Sequence, residues 1–206
     1  MVCMLDDDDL ELLRHKALFL GGGTCSGKTT TALAFSEQFG MRFFSADDYL
    51  CEYELAIDHI PDYMRDPKEQ LEDMLQFYHG AFPLAMAAVA DACRDAAGAT
   101  VIAEGIAFLP ELLFGVGIPA ERCLFLLAEQ SKHDERYRCR TWVSLMLEGY
   151  SAPEHAFELW MQRDALFGDY VAAECTRMGY ALKRVDFETT LEEVMHAAPW
   201  YRLLCE

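Results

Sequence analysis

A glycine-rich segment at residues 22–29, GGTCSGKT, is the clearest arrangement of residues for chemistry in the chain. It fits the pattern G-x-x-x-x-G-K-[ST] at every fixed position, and it lies between a predicted buried strand and a predicted helix. In that context the loop's backbone N–H groups bind anions, Lys28 reaches the β- and γ-phosphates, and the Thr29 hydroxyl binds Mg²⁺. The motif therefore predicts a nucleoside triphosphate site. Its residues are Gly22, Gly23, Thr24, Cys25, Ser26, Gly27, Lys28, Thr29 and Thr30.

Acidic side chains follow two further predicted strands, in the segments SADDY at 45–49 and VIAEGI at 101–106. Parallel sheets open their sites at the carboxyl ends of strands, so we expect these carboxylates near the glycine-rich loop. Glu104 ends a buried strand, where an unpaired charge is costly, and we favour contact with a Mg²⁺-bound water over a structural salt bridge. Asp47 and Asp48 have a simpler alternative, because aspartate is a common cap of a helix N-terminus.

Three arginines, Arg136, Arg138 and Arg140, fall within five residues of a strongly acidic chain. On the helix predicted over residues 131–148, Arg136 and Arg140 lie four apart and share one face. Arginine matches phosphate geometry bidentately, which favours phosphate binding. The alternative is a solvated helix whose arginines pair with neighbouring acidic side chains.

Apolar runs alternate with amphipathic stretches along the whole chain. Strands are predicted at 17–21, 41–45, 100–104, 122–127 and 180–185, and helices at about 27–39, 67–97, 131–148, 153–178 and from 189. The helix over 67–97 is predicted to break near Gly80 and Pro83. This alternation predicts an α/β three-layer sandwich with a mostly parallel sheet of about five strands, in a single domain of residues 1–206.

Charge and cysteine usage narrow the function classes. The chain has 35 acidic and 17 basic residues, a formal charge of −18, so we expect neither a nucleic acid polymer nor a membrane as partner. The eight cysteines form no CxxC pair, and the first residues contain acids where a secretion signal needs cations. We therefore expect a reducing, cytoplasmic location. The histidines show no transition-metal spacing, and the sequence leaves the oligomeric state open.

The absence of asparagine excludes one large class of phosphate-loop proteins. A GTPase reads its base with Asn-Lys-x-Asp, which this chain cannot contain. Motor ATPases add a domain or assemble into rings, and 206 residues leave little length for either. Small phosphotransferases remain.

Together, the segments at 22–29, 45–49 and 101–106 resemble the uridine kinase branch of the nucleoside-monophosphate-kinase-like P-loop kinases. The resemblance extends from residue 17 to about 106 by motif, and over the rest of the chain by layout only. It implies the P-loop NTPase fold and ATP with Mg²⁺, and it places Asp47 at the acceptor hydroxyl as a general base or orienting group. It also implies an acceptor-binding lobe at about 48–97.

The same resemblance implies a lid at about 131–150, in which an arginine, Arg136 or Arg140, acts on the transferring phosphate. The candidate catalytic residues are Lys28, Asp47, Arg136 and Arg140, and the candidate metal residues are Thr29, Glu104 and Asp48.

The predicted function is ATP- and Mg²⁺-dependent phosphoryl transfer to a small hydroxyl-bearing metabolite: a nucleoside, a sugar or a vitamin-like alcohol. A nucleoside monophosphate kinase is the nearest alternative, but it needs two or more arginines at 49–80 and only Arg65 is there. A prenyltransferase acting on a free nucleotide also has Ser-Ala-Asp after its second strand. The third alternative is a nucleotide-binding regulator without transfer chemistry.

Overall fold

In the computed structural model, which describes residues 5–50 and 62–205, five strands form one sheet. The strands are β1 (Ala17–Gly22), β2 (Arg42–Ser45), β3 (Val101–Glu104), β4 (Cys123–Ala128) and β5 (Ala181–Val185). Their order is β2-β3-β1-β4-β5, and every pairing is parallel. The predicted five-stranded α/β fold is therefore confirmed, with β1 at the centre of the sheet.

Helices connect the strands and cover both faces of the sheet. They are α1 (Asp7–Lys16), α2 (Lys28–Phe39), α3 (Pro67–Asp95), α4 (Pro110–Gly115), α5 (Gln130–Arg138), α6 (Thr141–Leu147), α7 (Pro153–Met178), α8 (Leu191–His196) and α9 (Tyr201–Leu204). Residues 46–50 are also helical, and a short 3₁₀ turn covers Ala120–Arg122. Although α3 and α7 are 29 and 26 residues long, no helix within 5–50 and 62–205 is apolar enough to cross a membrane.

Side chains of β1 alternate between two hydrophobic cores, because successive residues of a strand point to opposite faces. Ala17 and Phe19 belong to the core that also contains buried residues of α1, α3 and α7. Leu18 and Leu20 belong to the core that contains residues of α2 and α8. The sheet is thus buried on both sides, as expected for the three-layer sandwich.

The predicted break near Gly80 and Pro83 is wrong, because α3 continues through both residues. An interior proline costs a helix about 3 kcal/mol through the lost hydrogen bond and a steric clash. The residues that follow, Ala85, Met86 and Val89, are fully buried in the core shared with α7. Burial of this face offsets the local cost, so tertiary packing decides the outcome.

The predicted single helix at 131–148 is also wrong, since α5 ends at Arg138 and α6 begins at Thr141. Arg140 has extended backbone angles (φ −88°, ψ 121°), so Arg136 and Arg140 do not share a helix face. Tyr137 and Val143 are both buried in one aromatic cluster. Six residues apart on a straight helix, they would point about 120° away from each other, and the interruption lets both face the cluster.

Candidate active site

The glycine-rich loop leaves β1 at the centre of the sheet and ends at the first residue of α2, Lys28. Gly22 has φ +111°, and a Cβ there would lie 2.1 Å from the carbonyl oxygen of Leu126 on β4. The next residue, Gly23, donates its N–H to that same oxygen at 3.0 Å. Only glycine permits this approach to β4, and the approach directs the loop across the carboxyl end of the sheet.

Lys28 points into its own loop. Its side chain is buried, and its Nζ donates to the Gly23 carbonyl oxygen at 2.7 Å. The Ser26 hydroxyl donates to the same oxygen, also at 2.7 Å. The ammonium group therefore lies where the loop and the N-terminus of α2 gather backbone N–H groups, an arrangement suited to anions. Thr30, in the first turn of α2, is exposed.

Glu104 at the end of β3 lies beside Thr29 at the start of α2. The Thr29 hydroxyl donates to Glu104 Oε1 at 3.2 Å, and Glu104 is only 1% exposed. Its other oxygen, Oε2, is buried and has no hydrogen-bond partner among the described residues. Burial is the main cause that raises the pKa of Glu104, and the nearby charge of Asp47 adds to it, whereas Lys28 and hydrogen bonds from Ser45 and Thr29 oppose it.

Oxygen donors of this kind fit Mg²⁺, which binds through one or two protein oxygens together with phosphate oxygens and waters. The orphaned Glu104 Oε2 and the Thr29 hydroxyl supply such donors. Among the described residues no group of three or more His, Cys, Asp or Glu side chains forms a ready metal cage. These two residues could therefore hold a metal only together with other ligands, such as phosphate oxygens or waters.

Asp47 lies at the same edge, in the first turn after β2. It is half-buried, and its Oδ1 accepts the backbone N–H of Ile106 at 3.0 Å. Gly105 makes this contact feasible: its φ is +155°, and a Cβ there would lie 2.7 Å from the Ala46 Cβ and 3.0 Å from Asp47 Oδ1. The loop after β3 therefore fixes one oxygen of Asp47.

Asp48 differs from Asp47, because its side chain is exposed. Its backbone N–H donates to the Ser45 hydroxyl at 3.2 Å. Ser45 therefore caps the helical residues 46–50, the role that the alternative interpretation assigned to Asp47 and Asp48. The structure brings Lys28, Thr29, Glu104 and Asp47 together and leaves Asp48 at the surface of this group.

The three arginines of the predicted lid point to different places. Arg140 lies within hydrogen-bonding reach of the Cys25 thiol in the phosphate loop. Arg138 pairs instead with Glu154 of α7 at 3.1 Å. Arg136 is exposed. Burial of Lys132 is the main cause that lowers the pKa of that lysine, and the charge of Arg136 lowers it further. Of the three, only Arg140 contacts the loop.

None of the residues His133, Arg163 and Asp164 is among the site residues predicted from the sequence. The structure places all three together under the loop. Asp164 Oδ2 accepts the Thr24 hydroxyl at 3.1 Å and lies 3.1 Å from His133 Nε2, which is 2.9 Å from the Thr24 Oγ1. Arg163 Nε donates to Asp164 Oδ1 at 2.6 Å. This charged group is therefore attached to the phosphate loop through Thr24.

The charges within this group support one another. Burial alone would lower the pKa of His133, but the hydrogen bonds and charges of Asp164 and Asp134 raise it above its usual value. Burial would raise the pKa of Asp164, but Arg163 and His133 lower it. An ionised Asp164 that is paired with Arg163 and hydrogen-bonded by His133 and Thr24 is an arrangement in which a buried carboxylate is tolerated.

One signal in the sequence indicates this group. Asp164 lies three or four residues from Trp160, Met161 and Phe167, all buried, so it occupies the apolar face of α7. A carboxylate on a core-facing position needs partners. The sequence alone indicates Arg163, the adjacent residue, and no other. His133 and Thr24 could not be identified, since they are 31 and 140 residues away from Asp164.

A cluster of aromatic side chains adjoins both the loop and this charged group. Tyr63 stacks on Trp160 with ring centroids 4.1 Å apart, and Tyr137 meets Trp160 edge-on at 5.1 Å. Cys25 of the loop belongs to the same buried cluster. Tyr63, which belongs to the predicted acceptor-binding lobe, therefore takes part in packing. Residues 51–61 of that lobe lie outside the described residues.

Comparisons with known proteins add little to this geometry. No protein-family model and no curated protein matches the chain. A solved structure, shikimate kinase from Bacteroides thetaiotaomicron, matches with 16% sequence identity, a TM-score of 0.48, and coverage of 92% of this chain and 98% of that chain. A likeness at this level transfers neither activity nor substrate, and membership of the uridine kinase branch stays a prediction.

Proposed function

We propose that this chain is an ATP- and Mg²⁺-dependent phosphotransferase whose acceptor is a small metabolite with a hydroxyl group. One observation supports the proposal above all others: Lys28, Thr29, Glu104 and Asp47 meet at the carboxyl ends of β1, β2 and β3. These residues come from three separate segments, and phosphoryl transfer needs all their groups at once: a phosphate-binding cation, metal-binding oxygens and a carboxylate for the acceptor.

The phosphate loop and Lys28 bind the triphosphate. Backbone N–H groups of the loop and the N-terminus of α2 surround the anion, and the Lys28 ammonium neutralises the oxygens between the β- and γ-phosphorus atoms. Lys28 gives up its bond to the Gly23 carbonyl to do so, and that bond shows that its ammonium already lies inside the loop. The ammonium therefore has only to exchange this one partner for phosphate oxygens, and a charge held so close stabilises the transition state.

Thr29 and Glu104 would hold Mg²⁺. When bound, Mg²⁺ would supply positive charge that stabilises the negative charge developing on the phosphate oxygens during transfer. The Thr29 hydroxyl is the direct donor, and Glu104 accepts from Thr29 and orients it. The exposed position of Asp48 supports it less as a metal residue.

Asp47 is the proposed general base. The Ile106 N–H holds its Oδ1, which leaves Oδ2 to accept the proton of the acceptor hydroxyl. The acceptor oxygen forms a bond to the γ-phosphorus, the bond from that phosphorus to the bridging oxygen breaks, and ADP leaves with the bond's electron pair. The acceptor's proton passes to Asp47, so charge and atoms balance.

Arg140 is the arginine best placed to bind the transferring phosphate, because it already contacts Cys25 of the loop. Its guanidinium supplies paired donors for phosphate oxygens. Arg136 has no ion-pair partner within residues 5–50 and 62–205, so it stays available for the same role if the segment closes.

The surroundings of Arg65 disfavour the alternative of a nucleoside monophosphate kinase. Arg65, the arginine between residues 49 and 80, donates to Glu69 and Asp73 at the protein surface. An arginine shared by two carboxylates is poorly available for an acceptor phosphate. A neutral hydroxyl-bearing acceptor therefore fits better than a nucleoside monophosphate.

The test is ADP formation from MgATP in the presence of separate nucleosides, sugars and other small alcohols, with the phosphorylated acceptor identified by mass spectrometry. Acceptor-dependent ADP and a product heavier by one phosphoryl group would support the proposal. Transfer only to nucleoside monophosphates would favour the first alternative, and diphosphate release from a prenyl donor would favour the second. Nucleotide binding without any transfer would favour a regulator.

Absence of transfer in Lys28→Ala is the matched control, since it separates this activity from a contaminating kinase. The location in the cytoplasm, the single domain over 1–206, and the absence of nucleic acid and membrane partners stay predictions.

A further inference from the structure

Thr24 connects the phosphate loop to two helices at once. Its hydroxyl oxygen lies 2.9 Å from His133 Nε2 on α5 and donates to Asp164 Oδ2 on α7 at 3.1 Å. Tyr137, one turn after His133 on α5, also forms a side-chain hydrogen bond with Thr24. A single loop side chain is therefore held by three residues, two of them on α5.

The same α5 leads directly to the arginine that contacts the loop. Arg140 follows the last residue of α5 by two positions, and it lies by Cys25, the residue after Thr24. The charges of Arg140 and Lys28 both act to lower the pKa of this thiol, against the larger effect of burial. The loop and the arginine segment thus touch at two consecutive loop residues.

His133 is fixed more firmly than a surface contact would be. Its side chain is 8% exposed, and that of Asp164 is 5% exposed. Asp134 lies 3.2 Å from the other ring nitrogen, Nδ1, so both nitrogens face carboxylates. A displaced His133 would leave the buried Asp164 with one donor fewer, which is costly. The start of α5 is therefore held in one position relative to the loop.

We propose that His133, held by Asp164, is a positioning residue that places Arg140 over the phosphate loop and thereby gives the site its selectivity for a triphosphate over a diphosphate. This inference rests on the proposed nucleotide site. The γ-phosphate adds charge beyond the part that the loop surrounds, so a second cation beside Lys28 stabilises ATP more than ADP. Arg140 can supply that difference only if α5 keeps its place.

The test measures MgATP and MgADP dissociation constants by isothermal titration calorimetry, without any acceptor. His133→Phe keeps a buried ring and removes both ring nitrogens. The side chain at this position lines a cavity of about 190 Å³, which gives the larger ring room. We expect it to weaken ATP binding about tenfold or more and ADP binding less than about threefold, as expected for a lost contact with a charged group. Arg140→Ala should have the same pattern.

Two further variants and one control variant separate positioning from a general structural role. His133→Gln keeps a donor near the Nε2 position and should restore ATP affinity to within about threefold of the wild type. The double variant His133→Phe/Arg140→Ala should bind ATP no more weakly than either single variant, because both remove the same interaction. His79→Phe removes a histidine–carboxylate pair elsewhere, with Glu111 at 3.0 Å, and should change neither affinity.

Equal losses for ATP and ADP, unchanged ATP affinity in His133→Phe, or fully additive effects in the double variant would each overturn the inference. If His133→Phe does not fold, Tyr137→Phe decides, since it removes only the hydroxyl that bonds to Thr24. Tyr137→Phe should raise the ATP dissociation constant about threefold and leave the ADP dissociation constant unchanged. Equal losses of affinity for both nucleotides, or no loss for either, would count against a positioning role.

The outcomes also distinguish this inference from the proposed function. A wild-type protein that binds neither nucleotide refutes both. A protein that binds ATP selectively through His133 and Arg140, yet transfers phosphate to no acceptor, refutes the phosphotransferase and leaves the positioning role intact.

Discussion

Replacing Glu104 with glutamine should make the protein more stable and its nucleotide site worse. The side chain is 1% exposed, and its Oε2 has no hydrogen-bond partner within the part of the chain that the structure describes. Thr29 donates to Oε1, a contact that a glutamine oxygen can keep. The substitution therefore removes a buried charge while retaining shape and one hydrogen bond.

The size of the effect follows from that unsatisfied oxygen. A buried polar atom without a partner costs about 1–3 kcal/mol, and more when it is charged. The amide of glutamine also lacks a partner there, and the attraction to Lys28 is lost, so we take the lower end. The free energy of unfolding should rise by about 1 kcal/mol, which for a chain of this length raises Tm by about 2–4 °C.

The pH dependence of this gain identifies its cause. Burial raises the pKa of Glu104 above its value in the unfolded chain, so ionisation penalises the folded state. The penalty is absent below the unfolded pKa of about 4.3 and is complete above the folded pKa. The Tm advantage of Glu104→Gln should therefore be largest near pH 8 and shrink steadily toward pH 5.

The same substitution should weaken MgATP binding about tenfold while it leaves metal-free ATP binding nearly unchanged, because Glu104 is proposed to act through the metal. Differential scanning fluorimetry from pH 5 to 8 and calorimetric titration with and without Mg²⁺ measure the two effects. Glu111→Gln is the control for nucleotide binding, since that carboxylate pairs with His79 away from the loop. A lower Tm, a gain independent of pH, or unchanged MgATP affinity would refute the reasoning.

Three further predictions concern the catalytic residues. Lys28→Ala should reduce kcat at least 10²-fold, and a variant that keeps more than about a tenth of the rate would contradict the assignment. Asp47→Asn should lower kcat about 10²–10⁴-fold with ATP affinity nearly intact, whereas Asp48→Asn should cost far less; equal, metal-independent losses would mean that the acceptor acid is misassigned. The double variant Arg136→Ala/Arg140→Ala should lower kcat more than it weakens ATP binding. If the double variant instead loses thermal stability and keeps its rate, the two arginines have only a structural role.

The sequence predicted those features that depend on residues close together in the chain. The phosphate loop is one continuous segment between a strand and a helix, so its placement follows from its neighbours. Asp47 and Glu104 each end or follow a strand, and the parallel register sets Ser45 beside Glu104. A parallel sheet brings such strand ends to one edge, and for that reason the expected site could be assembled without coordinates.

Features that depend on packing between distant segments were missed. Pro83 looks like a helix break until the buried face of α3 is taken into account. The interruption between α5 and α6 follows from two residues, Tyr137 and Val143, that must both reach one aromatic cluster. The attachment of Thr24 to His133 joins residues 109 positions apart, and no local pattern contains that information.

The strongly acidic balance of the chain is compatible with a site for a polyanion because electrostatic range is short. At physiological ionic strength exposed charges are screened beyond about 8 Å, so the groups next to the phosphate loop matter more than the formal charge of −18. There, Asp164 is compensated by Arg163 and His133, and burial favours the neutral form of Glu104. Asp47 and Glu104 are the acids at this edge of the sheet, and Lys28 and Arg140 are the cations that lie by the loop. The proposed triphosphate site is therefore compatible with an acidic chain, and we expect the rest of the surface to disfavour longer polyanions.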